Sequence, residues 1–255
     1  MMTLLRSLER HQRSLRNRIA LWPGLPGAPD ILDPERFAGR RVIVIGPAET
    51  LADDLEGTVV DGFDVVVRLN NGLSLADTRP DLFGRRTDIL VHNLRETGPR
   101  NAGEIPASLL TDKGVSMLVY PHWRRSADRR AYRAKRAALK RAGGPPLSIL
   151  PPEIMQEIRA DLGNRAPTVG ISAILFFLAT PASELAIHGF TFFETRYASG
   201  YNDAIRSGAE ARAWVDARGA HEPLSEKRLL RKRLALPHAP RVILGRNVRR
   251  HLEAD

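Results

Sequence analysis

The pattern of apolar residues predicts a set of short, buried strands. Several β-branched runs lack the apolar–polar alternation of a half-exposed strand, which is typical of parallel strands covered on both faces. The predicted strands span residues 42–45, 64–69, 87–91 and 115–120, with a later one at 184–188. Each is short and is followed by polar or turn-forming residues.

In the stretches between and after these strands, most apolar residues recur at helical spacing. The predicted helices span residues 126–141, 153–162, 168–179, 204–217 and 224–236. Strands that alternate with helices predict an α/β fold, with a mostly parallel sheet and helices on both faces. A chain of 255 residues is long enough for one such domain, which we place at 31–255.

Residues 1–30 have a different pattern, that of a basic amphipathic helix followed by a linker rich in proline and glycine. The apolar stripe of the helix consists of Leu4, Leu8, Leu15, Ile19 and Trp22. A helix of this kind either binds an anionic membrane surface or docks on its own domain, and the pattern alone favours neither. Arginines interrupt every apolar run of the segment, so no secretory signal is predicted.

The composition limits which kinds of binding partner and which cellular compartment are expected. The chain has no cysteine, which excludes a disulfide scaffold and thiolate metal sites and suits a reducing compartment. Its longest apolar run, at 171–178, is far shorter than the roughly 20 residues of a membrane span. The net charge of +10 favours nucleic acid, anionic lipid or an acidic substrate as partner. The basic stretch 124–141 lacks any nucleic-acid-binding motif, so no nucleic-acid partner is expected.

The first segment with candidate chemistry begins at the end of the first predicted strand. Gly46 ends that strand, and ligands of parallel sheets bind at the carboxyl ends of strands. Pro47 and Ala48 follow, so the turn matches neither a dinucleotide-binding nor a phosphate-loop motif. The next strand ends in Asn70 and Asn71, whose amides suit hydrogen bonds to a nucleotide or sugar, although turn formation also favours asparagine.

Two later segments carry the other candidates. Thr168 is placed to cap the most apolar helix, and Gly170 in its first turn would let a ligand approach the backbone. A capped core helix is the alternative. Further on, His221 titrates near neutral pH and suits a general base, with Glu226 downstream of it. A structural histidine at a helix start is the alternative there.

In order and spacing, these segments resemble the motifs of the animal-type sialyltransferases, glycosyltransferase family 29. Residues 42–93 are similar to the long donor motif, including its Arg-x-Asn-Asn element at 68–71 and its Gly-x-[KR]-Thr element at 84–87. Residues 167–190 are similar to the short motif, and His221 with Glu226 matches the His-x4-Glu motif. The resemblance covers residues 40–235. The family's asparagine after Gly46, its third-motif histidine and its disulfide are missing, which suits a bacterial-type cytoplasmic relative.

The resemblance implies a single Rossmann-like domain of the GT-A type, sialyltransferase-like in fold. It implies inverting, metal-independent transfer of sialic acid or a related 2-keto acid sugar from a CMP-sugar to a glycan or glycolipid acceptor. The catalytic residues would be His221, as base, and Glu226. No cofactor is expected beyond the CMP-sugar co-substrate, and the absence of an Asp-x-Asp motif predicts no metal. The donor-binding residues would be Gly46, Pro47, Ala48, Arg68, Asn70, Asn71, Thr168, Val169, Gly170, Phe190, Arg196, Tyr197 and Tyr201.

Arg196, Tyr197 and Tyr201 are expected to replace the missing histidine and stabilise the departing phosphate. Two alternatives stay open for the function. One is a CMP-Kdo-dependent transferase of lipopolysaccharide or capsule synthesis, and the other is an inactive relative that only binds a nucleotide or polyanion. We expect a cytoplasmic protein, peripheral on the inner membrane face if residues 1–22 bind the membrane.

Overall fold

The computed structural model describes residues 28–54, 57–97, 102–217 and 219–254. In these residues, eight strands form one sheet. They are β1 (Asp30–Ile31), β2 (Arg41–Ile45), β3 (Val65–Leu69), β4 (Ile89–Val91), β5 (Met117–Tyr120), β6 (Leu147–Ile149), β7 (Glu184–His188) and β8 (Arg241–Leu244). All five predicted strands are confirmed, whereas β1, β6 and β8 were not predicted.

Every pairing in the sheet is parallel, and the strand order is β1-β6-β5-β4-β3-β2-β7-β8. From β2 the chain continues to β3 on one side, and from β7 it continues to β8 on the other. The adjacent carboxyl ends of β2 and β7 therefore flank a topological switch point, where open α/β sheets bind ligands. The predicted parallel sheet is confirmed.

Ten α-helices lie in the described residues. They are α1 (Gly57–Asp61), α2 (Gly72–Thr78), α3 (Pro80–Phe83), α4 (Ala107–Asp112), α5 (Ser126–Arg141), α6 (Pro152–Asp161), α7 (Val169–Leu178), α8 (Gly208–Asp216), α9 (Pro223–Leu234) and α10 (Arg246–Glu253). The five predicted helices are confirmed as α5 to α9. Separate apolar clusters on the two sides of the sheet confirm that helices cover both faces.

The central helix α7 fixes the site because it is buried all round. All of its residues except Gly170 are buried, and they pack against Val42, Val44 and Val67 of the central strands. A helix that is apolar on every side is stable only inside a core. Its amino-terminal end is thereby held rigidly at the carboxyl edge of the sheet.

The predicted amphipathic helix at 1–22 lies outside the described residues, so its role stays a prediction. Within the described part of the chain, no helix has the length and apolar content needed to cross a membrane. The first strand of the described residues belongs to the sheet. Its residues Asp30 and Ile31 pair with Ser148 and Ile149 of β6.

Candidate active site

A cavity of about 560 Å³ opens at the carboxyl edge of the sheet, at the switch point. The turns after β2, β3, β4 and β7 contribute to its wall, together with the first turn of α7 and the start of α9. The predicted residues that line it are Pro47, Ala48, Asn70, Thr168, Val169, Gly170, Phe190, Arg196, Tyr197, Tyr201, His221 and Glu226. Three separate sequence segments thus meet in one cavity.

Two glycines close the floor at the switch point. Gly46 follows β2 and Gly189 follows β7, and the backbone N–H of Ala48 donates to the Gly189 carbonyl at 3.0 Å. A side chain on either glycine would collide with the backbone of the other. Gly46 therefore permits the close approach of two loops and does not itself line the cavity, and its predicted contact with the donor stays a prediction.

The amino-terminal end of α7 is capped by two partners. The Thr168 hydroxyl accepts a hydrogen bond from the Ile171 N–H at 3.3 Å, as an N-cap does. The same hydroxyl donates to Glu226 at 2.7 Å, and the Thr168 backbone N–H donates to Glu226 at 2.6 Å. These bonds tie the beginning of α7 to α9.

The next two backbone N–H groups of α7, those of Val169 and Gly170, have no acceptor among the described residues. Both residues line the cavity. Free N–H groups at a helix amino terminus, together with the helix dipole, form a binding site for an anion such as a phosphate. Gly170 is needed here because a Cβ would lie 2.7 Å from the ring of Phe190.

Asn70 adopts a left-handed backbone conformation at the end of β3, with φ of +47°. Its side-chain oxygen accepts from the Asn93 N–H at 3.1 Å, and its side chain is also hydrogen-bonded to Tyr201. The burial of Tyr201 raises its pKa, so its hydroxyl stays protonated. Asn70 is thus held firmly in the wall of the cavity.

Arg68 does not line the cavity, and its predicted role in donor binding stays a prediction. The side chain is fully buried, and its guanidinium donates to the carbonyls of Phe83, Gly84 and Arg86 and to the Thr87 hydroxyl. Burial lowers its pKa to about 10. Arg68 therefore fastens the turn at 84–87 beneath the site, and two elements of the long donor motif bind each other.

The side chain of Asn71 likewise forms its hydrogen bonds with other parts of the protein. Its amide nitrogen donates to the Tyr201 carbonyl at 3.0 Å, and its amide oxygen accepts from the Gly103 N–H. Asn71 does not line the cavity. Asn71 thus holds together two loops of the wall, and its predicted contact with the donor stays a prediction.

His221 is half-buried in the wall and is fixed as a single tautomer. Its Nδ1 lies 2.7 Å from the Ala166 carbonyl oxygen, which can only accept, so Nδ1 carries the proton. The unprotonated Nε2 is then free to accept a proton. Burial lowers the pKa of His221, and the charge of Arg95 lowers it further. The imidazole is therefore neutral at pH 7 and can act as a base.

Glu226 is buried, and both of its oxygens are bonded to Thr168. Burial raises its pKa to about 7, although the two bonds from Thr168 oppose the shift. The side chain is thus engaged with the α7 cap, and its geometry fits a positioning residue that orients the anion site. Its predicted membership of the catalytic pair remains a prediction.

The loop after β7 supplies a further part of the wall. Arg196 lies at the cavity and forms an ion pair with Glu49. The rings of Tyr197 and Tyr201 stack at a tilt, with centroids 5.2 Å apart. These positions agree with the expectation that the loop faces the leaving group, which stays a prediction.

Sequence reasoning missed several residues of the wall, among them Asn93, Arg95, Arg125, Phe192 and Phe193. Asn93 and Arg95 follow β4 closely, and Arg125 lies shortly after β5. The rule that strand carboxyl ends carry ligand sites would have selected them. No sequence signal marks the two phenylalanines, whose φ angles of +51° and +63° are unusual for bulky side chains.

The described residues contain no group of three His, Asp or Glu side chains that could hold a metal ion. What the cavity does contain is a free helix amino terminus, a neutral imidazole and three arginines. This set can bind an anionic group and remove a proton from a second molecule.

The fold belongs to the class of sialyltransferase-like, GT-A-like single α/β domains. A mammalian sialyltransferase solved in complex with Gal-beta-1-3GalNAc-ortho-nitrophenol is 19% identical, with a TM-score of 0.53 over 91% of this chain and 79% of that chain. A second structure of a mammalian sialyltransferase is 18% identical, with a TM-score of 0.53 over 92% and 79%. The Campylobacter jejuni sialyltransferase CstII with cytidine-5'-monophosphate is 11% identical over 81% and 80%, with a TM-score of 0.49.

No protein-family model matches the sequence, and no curated protein matches it either. At these low identities, the similarity to the mammalian sialyltransferases establishes the fold, and the activity has to be argued from the residues of the cavity.

Proposed function

We propose that this protein is an inverting, metal-independent glycosyltransferase of the family 29 type, which transfers sialic acid or a related 2-keto acid sugar from a CMP-sugar. One observation carries the proposal. The same short segment anchors both the base and the anion site, because Ala166 accepts from His221 and Thr168 begins α7. A base and a leaving-group site in fixed relation are what a single-displacement transfer requires.

In the proposed reaction, the phosphate of the donor accepts hydrogen bonds from the N–H groups of Val169 and Gly170. The acceptor hydroxyl attacks the anomeric carbon while Nε2 of His221 takes its proton. The bond from the anomeric carbon to the phosphate oxygen breaks, and CMP leaves with the electron pair. Charge that develops on the phosphate is stabilised by the helix amino terminus, together with Arg196, Tyr197 and Tyr201.

The proposed donor has one phosphate, so the helix terminus and nearby cations can balance its charge without a bridging divalent ion. The shared fold with mammalian sialyltransferases supports a CMP-sugar of the 2-keto acid class. The acceptor is a glycan or glycolipid. We place the protein in the cytoplasm, with residues 1–22 as the candidate contact with an anionic membrane.

The proposal is tested by incubating the protein with a panel of nucleotide sugars and acceptor glycans. CMP release is measured, and products are identified by mass spectrometry. Consumption of CMP-sialic acid or CMP-Kdo, with an inverted anomeric configuration by NMR, is the expected result. The rate should be the same in excess EDTA. Turnover of only UDP- or GDP-sugars, or activity lost in EDTA and restored by Mg²⁺, would contradict the donor class or the metal independence.

A further inference from the structure

One wall of the cavity carries two arginines that the proposed reaction does not use. Arg95 follows β4 and Arg125 precedes α5, and both line the cavity with exposed side chains. Among the residues that the structure describes, no carboxylate forms an ion pair with either. The third arginine of the cavity, Arg196, differs because it forms an ion pair with Glu49.

Other arginines add positive charge close to Arg125. Arg124 and Arg125 both act electrostatically on Arg159, whose burial lowers its pKa. Burial, followed by the charge of Arg159, lowers the pKa of His122 to about 3, and the charges of Arg95 and Arg125 act in the same direction. The charge of Asp128 opposes the shift at Arg159, and its carboxylate accepts from the Arg125 backbone N–H at 2.8 Å at the start of α5.

The arginine wall lies on the side of the cavity that holds the base. Arg95 and His221 line the same cavity, and the charge of Arg95 lowers the pKa of His221. At the first turn of α7, Gly170 faces Leu69 at the end of β3 and Phe190 after β7. In the sheet, β4 and β5 lie beyond β3 on the side away from β7. The acceptor hydroxyl has to lie next to the base that takes its proton.

We propose that the acceptor is acidic, with a carboxylate or phosphate monoester close to the attacking hydroxyl and held by Arg95 and Arg125. This inference rests on the proposed function, since it names the acceptor of the same site. Arginine suits the role because its planar guanidinium binds either anion through two parallel hydrogen bonds. The acceptor's charge would also offset the surplus of positive charge in the wall.

The test measures glycan binding by calorimetry on the full chain saturated with CMP. The probes are lactose, lactose with a terminal sialic acid, and lactose with a phosphate monoester. The acidic probes should bind about tenfold more tightly than lactose, and Arg95→Gln or Arg125→Gln should each remove most of that advantage. The control Arg133→Gln changes an exposed arginine of α5 outside the cavity and should have no effect. The tighter of the two acidic probes identifies the anion.

Equal or weaker binding of both acidic probes relative to lactose would overturn the inference. So would variants that weaken CMP binding and leave the acidic glycans unaffected, because the arginines would then belong to the donor. Arg95→Lys keeps the charge and should retain part of the preference, which separates loss of charge from misfolding. If acidic glycans bind through these arginines but no CMP-sugar is consumed, the proposed transferase activity fails and the acidic-ligand site stands.

Discussion

His221 combines two features at the scale of a single residue. The Ala166 carbonyl holds the proton on Nδ1, so the other ring nitrogen is the basic one. Burial and the nearby charge of Arg95 lower the pKa of the imidazole below its usual value of 6.5. A base with a lowered pKa is less basic but is unprotonated over a wider pH range.

The first prediction concerns the pH profile of kcat/KM, which reports the free enzyme. The rate requires unprotonated His221, so activity should fall as pH drops through the pKa of the imidazole. Because that pKa is lowered, the acid limb should lie below pH 6.5. Arg95→Gln removes a charge that lowers the pKa, so the limb should move to higher pH, whereas Arg133→Gln should leave it in place. An acid limb above pH 7 in the unmodified protein would refute this prediction.

Arg68 and Asn70 show why the sequence indicates where the candidate site lies but not which side chains face it. Both belong to one recognisable tetrapeptide at the end of β3. Arg68 is buried beneath the strand end, whereas Asn70 turns into the wall of the cavity through its positive φ. The motif identifies the place, but the direction of each side chain depends on backbone conformation, which the sequence pattern does not contain.

At the scale of elements, the amino terminus of α7 is the proposed phosphate site. Its shape depends on the absence of a side chain at Gly170, where the ring of Phe190 fills the space. In a helix, replacing glycine with alanine normally adds about 1 kcal/mol of stability. Here the added methyl would push the ring towards the cavity.

We therefore predict that Gly170→Ala lowers CMP affinity about tenfold without lowering the melting temperature by more than a few degrees. Calorimetric titration with CMP measures the effect. Gly62→Ala is the matched control, because its added methyl would lie 3.4 Å from the nearest atom and far from the site. Unchanged CMP affinity in Gly170→Ala would mean that the phosphate does not bind at this helix end.

The loop after β7 is held in a strained form by contacts from outside. Phe192 and Phe193 have positive φ, which costs on the order of 1 kcal/mol or more for each bulky residue. The neighbouring Glu194 fastens the loop to two helices, through Lys227 at 3.4 Å and His251 at 2.6 Å. Lys227 is buried, and Glu194 is its counter-charge.

Glu194→Gln should lower stability by about 2–3 kcal/mol because it leaves the buried Lys227 without a counter-charge. The expected fall in melting temperature is roughly 5–10 °C, measured by calorimetry. Glu157→Gln, which removes an exposed carboxylate paired with Arg233, should change it by less than about 2 °C. Equal melting temperatures in the two variants would show that Glu194 does not hold the loop.

At the scale of the whole molecule, the sequence predicts the centre of the sheet and the long helices. Helix α5 has the bounds that its pattern predicts, and all central strands were located. The missed strands have only two to four residues, and β8 is at an edge with no fully buried position. Helix α10 was missed because arginines and a histidine surround its few apolar residues. Short or polar elements depend on packing against the sheet, which a local pattern does not express.

The cavity likewise forms only when distant segments of the chain come together in the fold. Its walls come from segments between residues 47 and 226 of the chain, and they meet only because β2 and β7 are neighbours at the switch point. The three motifs were recognised separately, but the arginine wall formed by Arg95 and Arg125 follows strands whose order the sequence does not give. The order of the strands must therefore be known before the separate motifs can be assigned to one cavity.

The central claim is that His221 removes the acceptor proton during transfer from a CMP-sugar. It is tested most directly by measuring kcat and CMP affinity for His221→Ala, beside His238→Ala as an exposed control. We predict that kcat falls by about 10²–10⁴-fold in His221→Ala, with CMP affinity and folding retained and the control unaffected. A folded His221→Ala protein with kcat within about threefold of the unmodified enzyme would contradict the assignment of the base.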